Sequence, residues 1–169
     1  MKSRIVYIKI IKLISNLNRR FSLKFYVEEW ENMIQVFFDH RGAGKSKNLI
    51  NLANREIENC KGSLVYIDDD KKHMLQLKSQ IRLITLDELN VIGPDQFYGL
   101  LCGIMAKDYD VESIFIDGLS NLLNISNLDQ VKEHFCKIEE FSKKFNVNVY
   151  INMHCADSEA PDFIKRYVA

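Results

Sequence analysis

The sequence has little of what marks secreted, membrane-spanning or zinc-binding proteins. Its 4 cysteines are far apart, with no C-x-x-C pair and no His-x-x-x-His partner, so buried, reduced thiols are predicted. No apolar run approaches the roughly 20 residues of a membrane span, and none resembles a signal-peptide core. Lys+Arg and Asp+Glu are equal at 23 each, which gives no clear reason to expect a nucleic-acid site. These absences favour a cytoplasmic protein without a transmembrane segment.

The composition of the chain changes near residue 32. Residues 1–27 carry seven Lys or Arg residues and no acid, whereas acids and bases are mixed from Glu28 onward. The apolar residues of this segment recur at helical spacing, which fits a packing helix or a basic amphipathic helix for a membrane surface or a partner. Alternatively, residues 1–32 are a non-native or dispensable extension. Met33 opens an apolar strand at once, and the codons of Trp30-Glu31 form a purine-rich run that can resemble a ribosome-binding site before a start at Met33. We therefore divide the chain into an extension, 1–32, and a domain, 33–169.

From residue 33 onward, short apolar segments alternate with segments of helical spacing. Strands are predicted at 33–38, 63–67, 81–86, 111–118 and 146–152, and helices after Lys45, at 71–77, from Pro94 to Ala106, from Leu128 to Phe145 and from Pro161. The alternation predicts a three-layer α/β sandwich with a five-stranded, mainly parallel sheet. A ligand site is then expected at the carboxyl ends of the strands.

The segment between the first strand and the first helix, DHRGAGKSK, contains most of a phosphate-binding loop. Gly44-Lys45-Ser46 is intact, but Asp39 stands where the pattern has its first glycine. In such a loop, backbone N–H groups surround the phosphates, the lysine neutralises them and the serine hydroxyl binds Mg²⁺. The predicted nucleotide-binding residues are Asp39, His40, Arg41, Gly42, Ala43, Gly44, Lys45, Ser46 and Lys47, and Lys45 is also predicted to act in catalysis. The alternative is a strand–helix turn without a ligand.

A second partial motif, SIFIDG, follows at residues 113–118. Ile114, Phe115 and Ile116 form an apolar strand that ends in Asp117, the Walker B arrangement for holding Mg²⁺. The predicted metal ligands are therefore Ser46 and Asp117. Gly118 occupies the position where hydrolytic proteins of this class often carry a glutamate, so the usual general base is missing.

With these two motifs, residues 33–169 resemble the P-loop NTPases, and VYIDDD resembles a strand end of RecA-type ATPases. The resemblance implies that Asp70 is the general base, with Asp68 and Asp69 as alternatives, and that Asn152 senses the γ-phosphate. The three carboxylates also fit a solvated acidic turn. More narrowly, the chain looks like a family of small ATP-binding proteins from low-GC Gram-positive bacteria, some of which are labelled twitching-motility PilT proteins. It lacks the additional sensory domain and the His- and Asp-box regions of those hexameric motors.

Two functions are compatible with these residues. The first is a Mg²⁺-dependent ATPase, and the second is a nucleotide-binding switch or scaffold with little hydrolysis, which the departures at Asp39 and Gly118 favour. ATP is expected because the Asn-Lys-x-Asp motif of GTP-binding proteins is absent. A kinase is disfavoured because no arginine occurs between Arg82 and Arg166 to hold a second substrate. Efficient hydrolysis requires a further cation, from Arg41, a homo-oligomer or an activating protein partner.

Overall fold

The computed structural model describes residues 33–38, 44–91, 93–119, 128–153 and 161–168. The strands are β1 Ile34–Phe38, β2 Ser63–Asp68, β3 Arg82–Thr85, β4 Val111–Ile116 and β5 Asn148–Met153. The helices are α1 Lys45–Glu56, α2 Leu86–Leu89, α3 Pro94–Lys107, α4 Leu128–Phe145 and α5 Asp162–Lys165, with a 3-10 helix at Met74–Gln76. The predicted extension, residues 1–32, lies outside the described residues.

The five strands form a single sheet in the order β1-β5-β4-β2-β3, and every pair of neighbours is parallel. The prediction of an α/β fold with five strands is confirmed, and the sheet is all-parallel rather than mainly parallel. Its strands are buried because helices cover both faces, as parallel sheets require. The carboxyl ends of all five strands consequently lie along one edge.

Alternation along the strands divides the core into two apolar clusters, one on each face of the sheet. Leu64 and Tyr66 of β2 pack with Phe115 of β4 and with α1 through Leu49, Ile50 and Ala53. We call this side the α1 face. Val65 and Ile67 point the other way and pack with α3, α4 and α5, whose buried residues include Phe97, Leu101, Phe135, Phe141 and Ile164.

Three local features differ from the sequence-based expectation. The predicted helix at 71–77 is a 3-10 turn of three residues, because Asp68 and Asp70 accept backbone and side-chain hydrogen bonds that hold residues 69–73 in turns. The predicted third strand ends at Thr85, and α2 follows it directly. Near the carboxyl terminus, Val168 forms a parallel bridge with Val36 of β1. Among the helices that the structure describes, none combines the length and apolar character of a membrane span.

Candidate functional site

The connections of the sheet identify a crevice at the carboxyl ends of β2 and β4. The chain leaves β2 on the α1 face, where Leu77 and Ile81 of the β2–β3 connection pack against the α1 cluster. The helix that follows β4 is α4, and it packs on the opposite face. Because β2 and β4 are neighbours whose chains continue on opposite faces, a crevice opens at their carboxyl ends. In open parallel sheets this is the position at which ligands bind.

Three buried polar residues lie at the carboxyl ends of the adjacent strands β2, β4 and β5. The ladders pair Ile67 of β2 with Ile116 of β4, and Ile116 with Ile151 of β5. The next residues, Asp68, Asp117 and Asn152, therefore stand side by side at the ends of three adjacent strands. They share the strand parity of Tyr66, Phe115 and Tyr150, so they belong to the α1 face. All three are buried, with exposed fractions of 3%, 6% and 0%.

Asp117 is held between two neutral donors. The Tyr66 hydroxyl donates to Asp117 Oδ2 over 3.0 Å, and Asn152 Nδ2 donates to Asp117 Oδ1 over 2.9 Å. The Asp117 backbone N–H also donates to the Ile67 carbonyl over 2.9 Å, which fixes Asp117 against β2. Burial, followed by the charge of Asp117, raises the pKa of Tyr66, so that its hydroxyl stays a donor. The two donors thus orient the Asp117 carboxylate but bring no positive charge to it.

Asp68 lies beside Asp117 and is bound by the turn that follows β2. The backbone N–H of Asp69 donates to Asp68 Oδ1 over 2.8 Å, and His73 Nδ1 lies 2.8 Å from Asp68 Oδ2. Burial raises the pKa of Asp68 to about 6, the charge of Asp117 adds to this, and the hydrogen bond from His73 acts in the opposite direction. Among the ion pairs of described residues, His73 is the only basic partner of these two carboxylates. The site therefore concentrates negative charge in a buried position.

Asp70, the predicted general base, has a different environment. Its Oδ1 accepts a 2.8 Å hydrogen bond from the backbone N–H of Lys72, and its Oδ2 pairs with the Lys72 ammonium group. The hydrogen bonds from Lys72 lower the pKa of Asp70, which makes it a weaker base than an ordinary aspartate. Asp69 is exposed. Of the three consecutive carboxylates, Asp68 is the one that contacts the buried network, and the catalytic role of Asp70 stays a prediction.

The predicted phosphate loop is described only at its carboxyl-terminal end. Gly44 precedes α1 with φ 74° and ψ 21°, a left-handed conformation that favours glycine. The first helical hydrogen bond runs from the Asn48 N–H to the Gly44 carbonyl over 3.1 Å. Ser46 is half-buried and Lys47 is exposed on the first turn of α1. Asp39, His40, Arg41, Gly42, Ala43 and the side chain of Lys45 lie outside the described residues.

Two members of the buried network, Tyr66 and His73, were not among the predicted site residues. Tyr66 could have been found, because it lies two positions before Asp68 and alternation places both on one face of β2. His73 follows in a turn, where no periodicity predicts which way a side chain points. Asn152, which was predicted to sense the γ-phosphate, donates a hydrogen bond to the predicted metal ligand Asp117.

No family model matches the chain, and no curated protein matches it in sequence. The α/β fold and its all-parallel, five-stranded sheet are therefore the level at which the chain is classified.

Proposed function

We propose that this chain is a P-loop nucleotide-binding protein that binds ATP with Mg²⁺ and hydrolyses it. The observation that carries the proposal is the buried Asp117 carboxylate at the sheet crevice, on the α1 face. Gly44 and Ser46 belong to the amino-terminal turn of α1, which starts from the same edge of the sheet. An Asp at a strand end and a Gly-Lys-Ser helix start are the two halves of a nucleotide–magnesium site.

The order of the strands supports this assignment. β5 is the one strand between β1, which leads into the predicted loop, and β4, which ends at Asp117. The helix α1 has 12 residues, long enough for a full set of aligned peptide dipoles at its amino terminus. A phosphate at this terminus and a cation at Asp117 would lie on one face of the sheet. Their charges would then compensate each other.

The donor groups present fit ATP and Mg²⁺. Ser46 and Asp117 would hold the ion, since Mg²⁺ prefers oxygen ligands, and the backbone N–H groups at the start of α1 would receive the phosphates. Within the part of the chain that the structure describes, the carbonyl oxygen of the fully buried Asn152 has no hydrogen-bond partner, which leaves an acceptor available for an ion-bound water. When bound, Mg²⁺ would neutralise charge on the β- and γ-phosphates.

A nucleotide-binding switch with little hydrolysis is the second candidate. The observation that favours it is the Lys72 contact of Asp70, which lowers the basicity of the predicted base. Gly118, with φ 70°, occupies the position after Asp117 where a glutamate would otherwise serve as base. Binding would be shared by both functions, whereas turnover would separate them.

The test is equilibrium binding of ATP, ADP and GTP with Mg²⁺, followed by phosphate release from the same sample. We expect ATP binding that Lys45→Ala weakens by about 2 to 4 kcal/mol, through loss of charge-assisted phosphate contacts. Arg55→Ala is the matched control, because it removes an exposed positive charge from the last turn of the same helix, away from the predicted loop. Absence of binding at millimolar nucleotide would refute both candidate functions.

Hydrolysis is assigned by a second set of variants. If Asp70 is the base, Asp70→Asn should lower turnover by about 10² or more while affinity changes only a few-fold. Asp69→Asn removes the same charge from an exposed neighbouring position and should have little effect. ATP binding without phosphate release in the wild type would favour the switch.

A further inference from the structure

The buried network contains a set of three possible metal ligands, of which the nucleotide site requires only Asp117. One ligand atom each of Asp68, His73 and Asp117 lies within 4.8 Å of the other two. Metal–ligand bonds of about 2.1 Å place neighbouring ligand atoms roughly 3 to 3.5 Å apart, so the most distant pair would have to approach by up to about 1.3 to 1.8 Å around an ion. His73 Nδ1 and Asp68 Oδ2, at 2.8 Å, are already at such a separation.

The three side chains come from elements that fix them independently. Asp117 is anchored by Tyr66 and Asn152, and Asp68 by the backbone N–H of Asp69. His73, from the turn after β2, is the most accessible of the three, with 27% of its side chain exposed. Two ligands are thus held by the sheet, and the third side chain is partly accessible to solvent.

A second observation, apart from the ligand set itself, also points to a bound cation. Asn152 is completely buried and its Nδ2 donates to Asp117, yet among the described residues its carbonyl oxygen has no hydrogen-bond partner. Buried polar atoms without partners are rare and indicate a water or an ion at the site. In addition, among the ion pairs of the described residues, His73 is the one basic partner of the two buried carboxylates.

The chemistry of the ligand set indicates which ion would bind. Mg²⁺ and Ca²⁺ prefer oxygen ligands and gain little from an imidazole. An imidazole with two carboxylates suits a divalent transition-metal ion, and three protein ligands leave coordination positions for water or substrate. We propose that Asp68, His73 and Asp117 form a site for a divalent transition-metal ion such as Zn²⁺ or Mn²⁺, which binds without nucleotide.

The proposal goes beyond nucleotide binding, with which it shares only Asp117. Tyr66 and Asn152 are positioning residues, because each contacts a ligand rather than the ion. Asp68 is then a metal ligand and not a general base. An ion at this site would also supply the positive charge that the described contacts of the two carboxylates lack.

The test is calorimetric titration of the full, untagged chain with ZnCl₂, MnCl₂ and MgCl₂ after treatment with EDTA and without nucleotide. We expect Zn²⁺ and Mn²⁺ to bind at least about tenfold more tightly than Mg²⁺. His73→Gln should weaken Zn²⁺ and Mn²⁺ binding by at least about tenfold and leave Mg²⁺ binding within about threefold. Tyr66→Phe should weaken binding by about 10- to 100-fold, the range for loss of an outer-shell partner.

His134→Gln is the matched control, because it removes an imidazole from α4 without touching the site. Mn²⁺ binding is also followed by electron paramagnetic resonance, which is insensitive to weak thiol sites for Zn²⁺. Far-UV circular dichroism confirms that each variant is folded, and His73 is the variant least expected to disturb folding because its side chain is partly exposed.

Equal Zn²⁺ affinity in the wild type and His73→Gln would overturn the proposal, as would Mg²⁺ binding as tight as that of Zn²⁺. The metal titration contains no nucleotide, so its result is independent of the proposed function. Metal binding that depends on His73 in a chain that binds no ATP would support the metal site and refute the nucleotide site. ATP binding in a chain that shows no His73-dependent metal binding would support the nucleotide site and refute the metal site.

Discussion

Asp68→Asn should stabilise the metal-free protein at neutral pH. The side chain of Asp68 is only 4% exposed, and its carboxylate lies next to that of Asp117 in the buried network. Both charges lose hydration on folding, and their mutual repulsion adds to the cost. Asparagine has nearly the same shape and keeps an oxygen that accepts the hydrogen bond from the Asp69 N–H, but it carries no charge.

The magnitude follows from the pKa of Asp68, which burial raises from 3.8 to about 6. This difference of about 2 pH units corresponds to about 3 kcal/mol at 1.36 kcal/mol per unit, as an upper limit. The weakened contact with His73 offsets part of the gain. We therefore expect Asp68→Asn to raise the free energy of unfolding by about 1 to 3 kcal/mol at pH 7.5.

The sign of the pH dependence is set by proton binding. Because the folded-state pKa of Asp68 is raised, the folded protein holds a proton between about pH 4 and 6 that the unfolded chain has released. The stability contributed by this group is complete below about pH 4 and is lost as the pH rises through about 6. The difference between wild type and variant should accordingly shrink as the pH falls from 7.5 to 4.5.

The assay is urea denaturation followed by circular dichroism, in EDTA, at both pH values. Asp69→Asn is the control, because it removes an exposed neighbouring charge and should change stability by no more than about 0.5 kcal/mol. Destabilisation by Asp68→Asn of more than about 1 kcal/mol at pH 7.5 would mean that the Asp68 carboxylate is stabilising. Such a result would refute the conclusion that the two buried carboxylates destabilise the metal-free protein.

Two further predictions concern the scaffold. A chain that starts at Met33 should melt cooperatively and bind nucleotide like the full chain. The reason is that hydrogen bonds of 2.7 Å, from the Val149 N–H to the Met33 carbonyl and from the Val36 N–H to the Tyr167 carbonyl, hold β1. A loss of several kcal/mol in the free energy of unfolding, measured by heat or urea, would contradict this. Gly62→Ala should destabilise the protein by at least about 2 kcal/mol in urea, because its Cβ would lie 1.9 Å from the Asp110 carbonyl oxygen. Gly99→Ala, which faces open space on α3, is the control and should be neutral or stabilising.

The sequence was sufficient to predict the elements of the sheet but not their arrangement. Buried strands of a parallel sheet are short, nearly continuous apolar segments, so each was recognisable by itself. The order of the strands in the sheet depends on how many neighbouring strands each crossover connection passes. The hydrophobic periodicity of a single segment carries no information about this. The insertion of β5 between β1 and β4, which brings Asn152 to Asp117, could therefore not be predicted.

The same limit explains why the acidic segment 68–70 was difficult to interpret. From sequence, all three carboxylates follow a buried strand and have similar claims to a functional role. In the structure, Asp68 still belongs to β2 and shares the buried face of Tyr66, whereas Asp70 lies in the turn and pairs with Lys72. A shift of one or two residues in the end of a strand decides which side chain enters the site.

The buried network also constrains how the site could have arisen or be replaced. Asp117 accepts from both Tyr66 and Asn152, so an apolar residue at position 117 would leave two buried donors without partners. Replacing Tyr66, Asp117 and Asn152 together by apolar residues would leave no buried donor without a partner. It would also remove the charge repulsion between Asp68 and Asp117. A less polar sheet edge would therefore be more stable than the one observed. In both proposals, a bound cation, from a nucleotide–magnesium complex or a transition metal, would offset this cost of the buried charges.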